Sequence, residues 1–339
     1  MFPIYKLLDW IDINKLNIKN LSSNINDKAI EILKQYPYKI DWIRLSHNKN
    51  DNIFELLTQN PNKIIWNEIA YNQNDRVIKL LQQNLDKLDY YGWFQLAFNR
   101  NENAIEILKQ NQDYIDWSVL CINENDKALD LITQNFNKIC WKSFSSNENI
   151  KAIKILKKNQ HKINWHYLSS NNNYEAINIL KKNQHKIDWC ELSSNNNDKA
   201  IELLKLYPQK INWYELSLNE NNNVIELLKN NKDKIYWDEL SSNKNDQVIE
   251  LLKQNQDKIN WDNLSSNKNI KVIELLKQNQ DKINWDNLSS NYNIFELDYN
   301  KMKENFKELG NEILEISLNP DRIKRLSEIY NFKFQDWFI

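Results

Sequence analysis

The chain has 339 residues, 41% hydrophobic and 27% charged, and its 45 Lys and Arg nearly cancel its 46 Asp and Glu to leave a net charge of −1. That balance excludes a globally basic binder of nucleic acid or anionic membrane, and two Gly with five Pro exclude flexible linkers. Asn is about one residue in six, the composition of a prion-like tract, but a regular Trp and aliphatic spacing predicts folded structure instead.

The opening MFPIYKLLDW has no basic lead and no long apolar run, so neither a signal peptide nor a membrane span is expected. Residues 1–17 are expected as a helical cap, with Phe2, Ile4, Leu7, Leu8 and Trp10 covering the exposed edge of the neighbouring segment. Next comes a repeat. Trp42, Trp66, Trp93 and eight further indoles to Trp285 stand 24 residues apart, with one step of 27 where Tyr90-Tyr91-Gly92 intervene. Counting back from Trp42 reaches Ile18, the start of a degenerate first copy. A fixed period of this length marks a stacked-repeat protein and outranks any local reading.

One copy shows the logic. In Asn245–Asn255, the residues Val248, Ile249, Leu251 and Leu252 share one face of an α-helix. Asn245 stands at the N-cap with Asp246 behind it, and Asn255 at the stop, where Asn tolerates a left-handed C-cap. A loop ending in Ile259 leads to Asn260, which caps the short element WDNLSS; its length fits either α or 3₁₀. Pro37, Pro61 and Pro208 share the position just after the long helix and reinforce its end. The insertion before Trp93 predicts a local bulge.

Some columns never vary. Four residues after each Trp stands a small residue (Ser, Ala or Cys121), which predicts close backbone approach between copies. Asn recurs six and eight residues after it, from Asn24 and Asn26 to Asn291 and Asn293. We expect a stacked ladder, one Asn in a left-handed turn and its partner capping the long helix and bonding the next copy. After the last copy, 299–318 reads as an amphipathic helix weakened at Gly310. Asn319-Pro320 opens another helix, and Phe332, Phe334, Trp337 and Phe338 suit an apolar lid.

The expected fold is therefore all-α: a right-handed α-solenoid of about twelve 24-residue two-helix repeats (18–293) with helical caps at 1–17 and 294–339. At roughly 8–10 Å per copy it forms an open arc on the order of 100 Å.

No catalytic triad, phosphate loop or isolated carboxylate pair stands out, and no metal or cofactor is expected. His161 with His185, and His166 with Cys190, repeat between adjacent copies, but that spacing is too wide for zinc ligands. Cys121, Cys140 and Cys190 show neither metal nor disulfide spacing, and Cys121 reads as a buried thiol in the small slot. Sequon-like triplets at Asn20, Asn263 and Asn287 fall inside the short helix. These features fit a reducing, intracellular setting. The Trp column reads as core rather than as a stacking platform for bases. Lys precedes the loop Ile in nearly every copy, a solvated stripe by the simpler reading. What varies is the exposed pair after each Trp: Arg44, Glu68, Phe94 with Gln95, His166 with Tyr167, Tyr214 with Glu215, and Asp238 with Glu239. These are candidate partner-binding residues, although neutral drift would look the same.

The unit INWxxLSSNxNxxAIxLLKxNQDK, the exit NIFELDY and the tail ISLNPDRIKRL resemble a 24-residue helical repeat family of giant DNA viruses of amoebae, over nearly the whole chain. Ile18 and the insertion at 90–92 depart from its pattern. The resemblance implies an all-helical repeat protein made inside an infected cell, in host cytoplasm, viral factory or virion; it implies no chemistry. The expected function is a non-enzymatic scaffold or adaptor for a host or viral protein. The alternatives are a structural component assembling through its surfaces or ends and, less favoured, a nucleic-acid-binding solenoid using the Lys column. No membrane partner is expected, and the oligomeric state is left open.

Overall fold

A computed structural model describes residues 3–317 together with 319, 322 and 325. It separates into two compact units, Trp10–Ile294 and the chain ends Met1–Asp9 with Phe295–Ile339.

The larger unit is a helical repeat. A representative copy has a long α-helix Asp246–Lys253, a 3₁₀ turn Gln256–Lys258 and a short α-helix Trp261–Ser266. Val248, Ile249, Leu251 and Leu252 are at most 2% exposed, each contributing roughly 1.5–3 kcal/mol by leaving water. The N-cap is as expected: the Asn245 side chain accepts a bond from the Gln247 amide at 2.8 Å. The short element is α-helical in every copy except the first, where Asn20–Ser23 is 3₁₀. Pro37, Pro61 and Pro208 each open the 3₁₀ turn, where the missing N–H is not needed.

The junctions are made of Asn and Ser. Asn219 is 2% exposed; its Nδ2 donates to the Ser193 and Asn195 carbonyls of the preceding copy, both at 3.0 Å, and its Oδ1 accepts from the Asn221 amide at 2.9 Å. Asn221 then caps its own long helix and donates to the Asn196 carbonyl at 2.7 Å. So the ladder exists, but it reaches the preceding copy. The expected left-handed turn is absent: Asn219 has φ −67° and Asn255 φ −136°. Asn255 instead donates its side-chain amide to the Leu251 carbonyl at 2.7 Å, which satisfies a helix-end acceptor without αL geometry. In the small column, Ser217 Oγ donates to the Trp213 carbonyl at 2.8 Å and accepts from the Tyr236 amide of the next copy at 3.1 Å. Cys121 takes the same role, its Sγ accepting from the Cys140 amide at 3.3 Å.

The expected open arc does not form. Asn24 donates to the Ser289 and Asn291 carbonyls at 3.4 and 3.1 Å, just as Asn48 donates to Ser22 and Asn24. The Ser289 hydroxyl accepts from the Asn17 amide at 2.8 Å, and Asn20 reaches the Asp286 carbonyl at 3.0 Å as Asn287 reaches Asp262. The copy starting at Ile18 thus stacks on the copy starting at Trp285, and the Asn bonds run in an unbroken circuit through every copy.

The stretch expected as an N-terminal helical cap is a strand and a 3₁₀ turn. β1 (Tyr5–Leu7) pairs antiparallel with β2 (Phe295–Leu297), Lys6 opposite Glu296, and Ile13–Lys15 is the 3₁₀ turn. A free first copy would need a cover; this one is already covered by the last. The insertion does not bulge either. It adds a turn to the start of the short helix, giving Tyr90–Phe98 capped by Asp89. The helix Tyr299–Ser317 forms as expected, and Asn319 Oδ1 accepts from the Arg322 amide at 3.3 Å. The rest of that second helix and the expected lid at Phe332–Phe338 lie outside the described residues.

Candidate interaction surface

Across most junctions neighbouring short helices pack directly on one another, with a buried Ser, Ala or Cys in each of them. Most short helices present the residue after the Trp to solvent and bury more of the next, as with exposed Tyr214 and half-buried Glu215; Phe94 is instead half-buried and Arg44 exposed. All ten candidate residues fall on this face. They form no single cluster but a run of contacts between neighbouring copies.

Arg44 bonds Asn20 and lies 3.5 Å from Asp41. Glu68 receives His47 at 2.5 Å. Phe94 stacks on Tyr91 at 6.3 Å and meets Phe98 edge-on at 5.2 Å, while Gln95 donates to the Tyr91 hydroxyl at 2.6 Å. Lys142 sits over the Tyr167 ring at 5.5 Å, and Tyr214 meets Tyr236 at 5.4 Å. Asp238 accepts from Asn260 at 3.2 Å.

His166 lies 2.8 Å from Asp188 and 3.7 Å from Glu191. The hydrogen bond to Asp188, with the nearby Glu191 charge, raises its pKa above the usual His value. Burial and then the like charge of Glu191 raise the Glu215 carboxyl, and the Glu239 charge does the same for the Tyr214 hydroxyl. Burial pushes the Cys121 thiol up to about 11. The acidic side chains therefore crowd between Asp188 and Glu239, whereas the aromatic ones gather around Tyr91–Phe98. Among the described residues no group of three His, Cys, Asp or Glu side chains is placed to hold a metal ion, and no helix is long and apolar enough to cross a membrane.

The indoles correct the sequence reading. Only Trp93 is fully buried, at 6% exposure; the other indoles of the column are half-buried. In four copies a Lys lies over the ring: Lys162 over Trp141 at 5.2 Å, Lys186 over Trp165 at 4.5 Å, Lys234 over Trp213 at 5.0 Å and Lys282 over Trp261 at 4.7 Å. The last copy has no successor of its kind, and Lys15 covers Trp285 at 4.9 Å with Trp10 alongside at 6.4 Å. The Lys stripe and the Trp column are thus one feature. Their matching recurrence was the available signal, missed because the two residues pair across copies. An open cleft of about 660 Å³ lies along this line, bounded by Trp213, Lys234, Tyr236 and Cys190.

No family model, curated protein or solved structure matches this chain.

Proposed function

We propose that the copies close into a ring of twelve and that this ring is a non-enzymatic scaffold holding a protein partner on its short-helix face. At roughly 8–10 Å per copy, the circumference through the helix axes is on the order of 100 Å. A circle of that circumference is roughly 30 Å across, and taking off a helix diameter of about 10–12 Å leaves an opening on the order of 20 Å. The short helices belong on its concave side, where they surround a bound segment. The family resemblance belongs to the same reading and makes the partner a host or viral protein of an infected cell.

The carrying observation is the contrast within each copy. The buried Asn and Ser bonds recur from junction to junction, while the exposed residue beside each Trp changes from Ile43 to Lys142 to Tyr214 to Asp238. A fixed frame with a changing exposed row is how repeat proteins build recognition surfaces. The scaffold reading is favoured over assembly through the ends because the first and last copies already occupy each other's stacking faces, leaving no free end for growth.

The test is a photo-crosslinking amino acid placed at Tyr214 on the short-helix face and, separately, at Lys154 on a long helix. Discrete protein adducts at the first position and not the second support the proposal. Equal labelling at both positions, or none at Tyr214, overturns it.

A further inference from the structure

The heptapeptide KKNQHKI occurs in adjacent copies, at 157–163 and 181–187. Each instance ends a long helix and makes the following 3₁₀ turn, so both lie on one edge of the array. The six lysines have distinct surroundings. Lys157 and Lys181 lean towards Glu175 and Glu202 of the next copies, at 3.5 and 3.9 Å. Lys162 and Lys186 lie over Trp141 and Trp165. Lys158 and Lys182 pair with no carboxylate among the described residues, and both are exposed. The heptapeptides contain no acidic residue. A chain with a net charge of −1 thus carries a local arc of positive charge interleaved with half-buried indoles.

We propose that this edge binds the backbone of single-stranded nucleic acid. Ammonium groups alone would accept any polyanion; the indoles narrow the choice. A Lys held over an indole at about 5 Å is a cation already in place, and the ring beneath it is large enough for a base. When a phosphate draws Lys186 off Trp165, a base takes its place on the uncovered ring face, and the cation–π contact is exchanged for a stacking contact and an ion pair. An acidic peptide gives only the ion pair. A duplex hides its bases and gives no stacking. Binding is independent of sequence, because every base has a π-face. None of these lysines is in the exposed row beside the Trp column, so the inference is tested separately from the scaffold reading.

The full chain is titrated into a labelled oligouridine of about twenty nucleotides, a length that spans several binding sites of this kind, with polyglutamate as competitor. Anisotropy should rise at low salt. The log–log salt slope should be about −3, as expected for roughly four phosphates at about 0.7 each, and tryptophan emission should be quenched. Lys158→Gln with Lys182→Gln should weaken binding about tenfold and flatten the slope by about 1.4. Lys199→Gln with Lys271→Gln, near the opposite ends of the long helices, should change nothing. Trp165→Phe should reduce the quenching while the salt slope stays the same. No binding at low salt overturns the proposal, as does polyglutamate competing equally or binding undiminished in the Lys158/Lys182 variant.

Discussion

Asn24→Ala tests closure directly. In an open stack Asn24 would sit on a free end, with only its own copy to bond: the Asn26 amide, at 3.0 Å. Its loss would cost about 1 kcal/mol, the typical net value of one hydrogen bond. In the closed circuit Asn24 is fully buried and also donates to Ser289 and Asn291. Truncation then removes three bonds and strands two carbonyls and an amide away from water. At about 0.5–1.5 kcal/mol per bond, with a further penalty for each stranded group, the loss comes to roughly 3–5 kcal/mol. Asn219→Ala, with the same three partners inside the array, is the internal standard. The assay is urea unfolding of both variants and the parent, followed by tryptophan emission, with small-angle scattering of each native state. Closure predicts comparable losses for the two variants and a parent scattering curve with the minimum of a hollow ring. If Asn24→Ala costs less than about 1 kcal/mol while Asn219→Ala costs several, or if the parent scatters as an extended arc, the reasoning fails.

Other expectations rest on the same contacts. Ser217→Ala should cost about 1 kcal/mol, because the Tyr236 amide loses its acceptor. Ser217→Val should cost about 1–3 kcal/mol by overpacking the close approach, as read by urea midpoints. Trp213→Ala should fall below the roughly 3–5 kcal/mol of a fully buried aromatic, since its ring is only half-buried, with Lys234 over it. A loss at the top of that range would mean the indole is buried in solution. His166 should titrate above the usual His value of about 6.5, because Asp188 favours its charged form. Its stabilising contribution is complete below that value and is lost as pH rises through the raised pKa. NMR should show Asp188→Asn bringing the midpoint back down, and an unchanged midpoint would refute the pairing. Thiol reagents at neutral pH should modify exposed Cys190 first and reach Cys121 only on unfolding, because burial holds that thiol near 11.

The contents of each copy were legible in the sequence because they are local. The Val248–Leu252 face, the Asn245 cap and the small column all follow from 3.6-residue periodicity and the stereochemistry of helix ends. Contacts between copies were harder to read, because they join residues far apart in the chain. Lys186 reads as a solvated charge until Trp165 of the previous copy is beneath it. Trp213 reads as a plain core residue until Lys234 is seen over its ring. The ten candidate residues lie on the short helices, and partners such as His47 for Glu68 and Asp188 for His166 come from neighbouring copies and needed the structure.

From the sequence alone came the period, the helices and the Asn positions, since each depends on interactions within a few turns of chain. Whether the stack ends or returns to its start was decided only in three dimensions. That outcome depends on a small rotation at each junction, about 30° if twelve equal steps close a circle. No single copy encodes that sum. The meeting of Asn24 with Asn291 is the consequence; among the described residues of the expected helical cover, Tyr5–Leu7 is a strand and Ile13–Lys15 a 3₁₀ turn.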